Sequence, residues 1–154
     1  MIVSFEEFAK ALNIGDRVMG LDIGSKTIGL ALSDTTRTIS TPMELVKRTK
    51  FTKDANRILD LCQQQRVAGL VLGMPVNMDG TEGPRCQSTR QFAENIGEIS
   101  DIMVTYWDER LSTAAVTRTL IEADRSRARR KELVDKMAAS YILQGALDRL
   151  QTMG

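Results

Sequence analysis

Val18-Met19-Gly20-Leu21-Asp22-Ile23-Gly24-Ser25-Lys26-Thr27-Ile28-Gly29-Leu30-Ala31-Leu32-Ser33-Asp34 is an apolar strand that ends on a carboxylate, turns through small residues and re-enters an apolar strand. Two apolar runs joined by so short a link form an antiparallel hairpin. Asp22 is the residue out of place. An unpaired ionised carboxylate in a low-dielectric site costs several kcal/mol or shifts its pKa until it is neutral, so something must hold the charge. A divalent cation suits the task, and cations held by carboxylates at the end of a sheet usually handle phosphates.

Outward from this hairpin the pattern alternates. Residues 17–22 and 27–33 are the paired strands, and residues 38–46 are a third, which Pro42 makes an edge or bent strand. Residues 53–65 carry Ala55, Ile58, Leu59 and Cys62 on one helical stripe, which gives Cys62 a packing role. Residues 67–73 form a short apolar strand suited to burial on both faces, followed by a turn-rich loop over 77–84. A helix over 85–96 and a strand over 102–107 come next. Ser112 or Thr113 can cap a helix running to about residue 123, and a last helix spans about 131–150. Residues 1–15 read as a weakly amphipathic leader.

Three hairpin-linked strands followed by two helix–strand crossovers predict an α/β fold. Its sheet is mixed and five-stranded, three strands antiparallel and then two parallel, flanked by helices on both faces. At 154 residues, with no repeat and no linker-like composition, the chain is expected to be a single domain over 1–154 with its core at about 16–150. No apolar run approaches the ~20 residues of a membrane span, and Glu6 and Glu7 stand where a secretory signal would be positive. These features point to a cytoplasmic protein.

Histidine is absent, which excludes imidazole general bases, Ser-His-Asp and Cys-His nucleophiles, and histidine-ligated zinc. Cys62 and Cys86 stand apart, with no Cys-x-x-Cys pairing for a thiolate metal or redox site. Chemistry is left to carboxylates, amines, hydroxyls or a bound ion. Crossover topology brings the C-terminal ends of the parallel strands together, where ligands bind in open α/β sheets. Asp22 lies at one such end and the Asp108/Glu109 pair at another. Strand alternation aims Asp108 and Glu109 at opposite faces, so only one of them can join Asp22. Asp135, early in the last helix, borders its buried face and can supply a third acid. Asp34 and Asp79 read as turn residues and Trp107 as core.

Such a cluster needs compensation, because like charges raise one another's pKa. Mg2+ or Mn2+ would relieve the repulsion, and a two-ion site hydrolyses phosphodiesters without histidine. The net charge of +1 conceals two basic groups, Arg125, Arg127, Arg129, Arg130 and Lys131 in one short window and Lys47, Arg48, Lys50 and Lys53 in another. Local patches of this kind attract a polyanion partner.

Four stretches taken in order resemble the YqgF/RuvX family. They are Gly-Leu-Asp-Ile-Gly-Ser-Lys-Thr-Ile-Gly-Leu-Ala at 20–31, Leu-Gly-Met-Pro-Val-Asn-Met-Asp-Gly at 72–80, Trp-Asp-Glu-Arg-Leu-Ser-Thr at 107–113 and Asp-Lys-Met-Ala-Ala-Ser-Tyr-Ile-Leu at 135–143. The resemblance implies an RNase H-like fold related to the Holliday-junction resolvases. It also implies a cytoplasmic hydrolase, a nuclease that processes the 5′ end of the pre-16S ribosomal RNA in ribosome biogenesis. Carried over residue by residue, the catalytic and metal-binding acids are Asp22, Glu109 and Asp135, with Mg2+ or Mn2+ as cofactor. In the related resolvases an acid ends the strand that here reads Leu72-Gly73-Met74-Pro75, so Glu109 takes its place from a neighbouring strand. The partners implied are pre-rRNA, with ribosomal precursor particles, for a monomer or weak homodimer with no membrane association. Branched DNA cleaved as a junction resolvase does, and a catalytically silent nucleic-acid scaffold, are the competing readings. A phosphotransferase is the weaker one, since Asp-Ile-Gly-Ser-Lys-Thr at 22–27 also resembles the phosphate loop of the two-lobed sugar-kinase and actin group, for which this chain has only one lobe.

Overall fold

The structure, a computed structural model, describes residues 1–111 and 127–153, the latter with side chains from residue 137 onward. The hairpin strands are β1 (Arg17–Ile23) and β2 (Thr27–Ser33), with β3 (Ser40–Lys47) beside β2. Then come α2 (Phe51–Gln64), β4 (Val67–Met74), α3 (Pro84–Ile99), β5 (Met103–Asp108), a 3-10 turn (Glu109–Leu111) and α4 (Arg127–Met153), with α1 (Phe5–Ala11) preceding all of them. The sheet order is β3-β2-β1-β4-β5, antiparallel through the first three strands and parallel from β1 through β4 to β5. This is the mixed five-stranded sheet expected from the pattern. The helix expected after Ser112 or Thr113 lies outside the described residues.

Apolar side chains alternate across the sheet and bury two cores. Met19, Leu21, Ile28, Leu30 and Leu72 pack against Ile58 and Leu61 of α2 and Phe92 and Ile96 of α3. Val18, Ala31, Val71 and Trp107 pack against Ala139, Ile142, Leu143 and Leu147 of α4 and Phe8 of α1. Two glycines let α4 approach. A Cβ on Gly20 would stand 2.7 Å from Leu143 Cβ and 3.0 Å from the Ala139 carbonyl, and one on Gly73 would meet Ile142.

The first residues are more than a leader. Ser4 caps α1 by accepting from the Glu7 amide at 3.1 Å, and Phe8 is fully buried, its ring filling the space where Gly69 lacks a side chain. Ahead of the helix, Ile2 forms a parallel bridge to Val104, and Val3 N donates to Val104 O at 2.9 Å. The segment therefore covers the start of the outer edge of β5, at Val104. At the opposite edge, β3 carries Pro42, and its register with β2 shifts between Leu30 and Ala31, beside it.

Asp34 closes the turn between β2 and β3. It accepts from Thr38 N at 2.7 Å, from Ile39 N at 3.1 Å and from the Thr36 hydroxyl. Those bonds, the Thr36 hydroxyl first, hold its carboxyl down to about 2. A depressed carboxylate contributes stability that is fully present above its unfolded value of about 4 and is lost as pH falls toward 2. Acid titration followed by circular dichroism should therefore show Asp34→Asn losing less stability than wild type between pH 4 and 2. An unchanged acid limb would contradict the assignment.

Candidate active site

Asp22 is the second-to-last residue of β1 and is 4 % exposed. On the period of a strand it shares a face with Gly20, which lies against Leu143 and the Ala139 carbonyl, so Asp22 belongs to the side that α4 covers. A countercharge reaches it from α3. Arg85, in the first turn of α3, donates Nη2 to Asp22 Oδ1 at 3.2 Å and to the Ile23 carbonyl at 3.3 Å. The expectation that a buried charge at this position must be compensated is met in part by that guanidinium.

The structure separates Asp108 from Glu109. Asp108 ends β5 and is half-buried, and Arg110 grips it: Nη2 reaches Oδ2 at 2.7 Å, Nε reaches both oxygens at 3.1 Å, and the Arg110 amide reaches Oδ1 at 2.9 Å. The hydrogen bonds from Arg110 hold the Asp108 carboxyl below the usual carboxylate range. Arg110 also spans to the Asn77 carbonyl, tying the loop after β4 to the end of β5. Glu109 opens the 3-10 turn and is 2 % exposed. It follows Trp107, a core residue on the α4 side, by two positions, where the chain has already left the strand for the turn. Its charge is felt at Cys86, also in the first turn of α3, whose thiol is raised first by burial and in smaller part by Glu109. Asp22, near the end of β1, and Glu109, just past the end of β5, thus both lie toward the first turn of α3 with β4 between them; two strand spacings and two residues of rise put their backbones roughly 12 Å apart.

Position 135 lies in α4, whose later residues pair with the other end of the sheet: Gln151 donates to the Arg37 carbonyl, beyond β2, while Ala139 and Leu143 sit over Gly20. Four residues back from Ala139 is about 6 Å along a helix, and two residues on from Gly20 is about 7 Å along a strand. The helix backbone at 135 is therefore level with Asp22. The Asp135 side chain lies outside the described residues, and among the described residues no three His, Cys, Asp or Glu side chains form a metal-sized group.

Of the basic window, Arg125 lies outside the described residues. Arg127, Arg129, Arg130 and Lys131 belong to the first turns of α4, a helical start where a loop was the alternative. Their side chains lie outside the described residues too. Asp79 is a turn residue that accepts from the Thr81 amide and hydroxyl, Trp107 is core, and Cys62 is a packing residue whose thiol burial pushes up to about 12. Sequence reasoning missed Arg85. The available signal was Pro84 opening a helix directly opposite the strand ends, which puts the next side chain at their mouth.

Comparison with known proteins identifies the family. The model of the RuvX family, described as Holliday junction resolvase, matches residues 16–149. A protein of Paramagnetospirillum magneticum named "Putative pre-16S rRNA nuclease" is 61% identical over 147 residues, 96% of this chain and 95% of that one. A namesake from Ruegeria pomeroyi is 54% identical over 148 residues, 96% of each chain. Among solved structures, T. thermophilus RuvC in complex with a Holliday junction substrate superposes with a TM-score of 0.54 at 13% identity, covering 89% of this chain and 97% of that one. That likeness is one of fold, an RNase H-like mixed sheet. Relatives more than half identical along nearly their full length, and a family match that takes in all five strands, lead to one conclusion: the chain belongs to the RuvX family.

Proposed function

We propose that this protein is a metal-dependent endonuclease that hydrolyses phosphodiester bonds in structured RNA and trims the 5′ end of the pre-16S ribosomal RNA in the cytoplasm. The observation that carries the reading is the pair of buried carboxylates, Asp22 and Glu109, both beside the first turn of α3 at one end of the sheet. The names of the relatives supply the substrate. Precursor ribosomal particles are the expected setting, for a monomer or weak homodimer.

The donor set fits a hard cation. Both buried groups offer only carboxylate oxygens, the ligands that Mg2+ and Mn2+ prefer, in a chain that has no imidazole to compete. Asp22, Glu109 and Asp135 would hold it. When bound, such an ion neutralises charge on the phosphodiester and activates water. The chain's own part is to keep two acids out of solvent, with Arg85 supplying countercharge to Asp22, and to hold them at the end of β1 and in the turn just after β5. Asp108, engaged by Arg110, braces the loop after β4 in this reading and takes no part in the chemistry. Arg125, Arg127, Arg129, Arg130 and Lys131 contact the phosphates of the bound strand.

Incubation of purified protein with a pre-16S RNA fragment carrying its 5′ extension should give one discrete shortened product with Mg2+ or Mn2+ and none with EDTA. A four-way DNA junction is assayed in parallel. Cleavage of the junction alone would replace the RNA substrate by branched DNA. RNA binding without cleavage under either metal would favour the silent scaffold.

A further inference from the structure

The second basic group is built into a rigid corner beside Asp22. Arg48 N donates to the Lys26 carbonyl at 2.8 Å, and Arg48 Nη1 donates to the Gly24 carbonyl at 2.8 Å, so the link after β3 is fastened to the β1–β2 turn that begins two residues after Asp22. Asp54, buried in the first turn of α2, accepts from both the amide and the hydroxyl of Thr49. The one carboxylate within this corner is thereby turned inward. Lys26, Lys47, Lys50 and Lys53 are exposed and Arg48 is half-buried, and none of the five has a carboxylate partner among the described residues. Lys50 and Lys53 line a shallow depression with Asn56 and Arg57, Asp60 lying at its far end. Arg57 differs from the five in being paired to Glu44 at 2.7 Å.

Five cations with no carboxylate partner among the described residues cost stability through mutual repulsion, and a polyanion removes that cost. Their position says which part of it they meet. Lys47 pairs with Thr27 and Asp22 with Gly29, so Lys47 stands two strands across and two residues further out from Asp22, a span of roughly 12 Å. Successive phosphates of a single strand stand farther apart than the axial rise of a duplex, so that span is on the order of two nucleotides.

We infer that Lys26, Lys47, Arg48, Lys50 and Lys53 form a phosphate-binding track that holds the nucleic-acid backbone on the order of two nucleotides from the bond cleaved at Asp22. The inference rests on the nucleic-acid reading above. It adds a contact surface on the β3 side of the active site, made by a different stretch of the chain from the basic window at residues 125–131.

The test is the salt dependence of binding to a 30-nucleotide mixed-sequence single-stranded RNA in EDTA, which separates binding from cleavage. Each lost phosphate contact lowers the slope of log K against log salt by about 0.7 on single strands, so the triple variant Lys47→Gln, Lys50→Gln, Lys53→Gln should lose about 2 from the wild-type slope. The triple Lys→Arg replacement at the same positions should keep it. A control with the same charge change at the other end of the molecule, Lys10→Gln, Arg66→Gln, Arg149→Gln, should leave the slope near wild type. An unchanged slope in the first variant, an equal fall in the control, or no RNA binding by wild type would overturn the inference. RNA binding that passes these tests without metal-dependent cleavage would sink the nuclease reading and leave the track standing.

Discussion

Asp22→Asn should reduce RNA cleavage at least about a hundredfold in Mg2+ or Mn2+, and Glu109→Gln should do the same, while Asp108→Asn stays within about threefold of wild type. Loss of groups that merely orient metal ligands costs ten- to a hundredfold, so loss of a ligand oxygen belongs at or beyond the upper end. A hundredfold is about 2.7 kcal/mol of transition-state stabilisation. Both replacements are near-isosteric amides, so their effect on stability is small, although Asp22→Asn gives up its ion pair with Arg85. The contrast within one dipeptide is what makes the experiment sharp. Asp108 and Glu109 are adjacent, yet one is spent on Arg110 and the other is buried beside α3. Equal losses from the two would reverse their assignment, and wild-type cleavage by Asp22→Asn would remove Asp22 from the site. Calorimetric titration of Mn2+ gives an independent readout, with weaker binding expected for Asp22→Asn and Glu109→Gln and unchanged binding for Asp108→Asn.

Gly20→Val should be the most damaging single change to the fold. The first carbon added would fall 2.7 Å from Leu143 Cβ and 3.0 Å from a main-chain carbonyl of α4, neither of which is the free end of a flexible side chain. Overpacking of this kind costs typically about 1–3 kcal/mol, and the branched valine against helix backbone belongs at the top of that range. For a chain of this size that is a fall in Tm of roughly 6–12 °C, measurable by calorimetry. Cleavage should fall by more than the unfolded fraction explains, because α4 carries position 135 and its displacement moves that position away from Asp22. At Gly73 the obstacle is the tip of Ile142, so Gly73→Ala should be milder. A Gly20→Val protein with wild-type Tm would show that α4 does not seat on β1 as described.

Strand alternation and short links were enough to read the sheet from residues alone. Thr27–Ser33 is apolar at nearly every position because β2 lies between two other strands with helices on both sides, and Pro42 marked β3 as an edge. Helix ends drifted by a few residues, as at Arg127, because end positions depend on tertiary packing more than on propensity. Asp22 stood out since a charge in an apolar strand has few explanations. Glu109 did not separate from Asp108 on spacing alone: the choice turns on which face the strand end presents and on the Arg110 guanidinium folding back, both of which need coordinates. The Asp22 to Arg85 contact spans 63 residues and left no periodic trace. The role of residues 2–8 was hidden for the same reason, a strand pairing across about a hundred residues made by a segment too short to show alternation.

Because Ile2 and Val3 occupy one border of the sheet and Pro42 with its neighbouring irregularity interrupts the other, neither margin offers a second copy a continuous row of main-chain donors and acceptors. Self-association by extending the sheet from molecule to molecule is thereby hindered at both borders of the described sheet. A twofold pairing of active sites, such as symmetric incision of a branched substrate requires, is better served by helices and loops than by these borders.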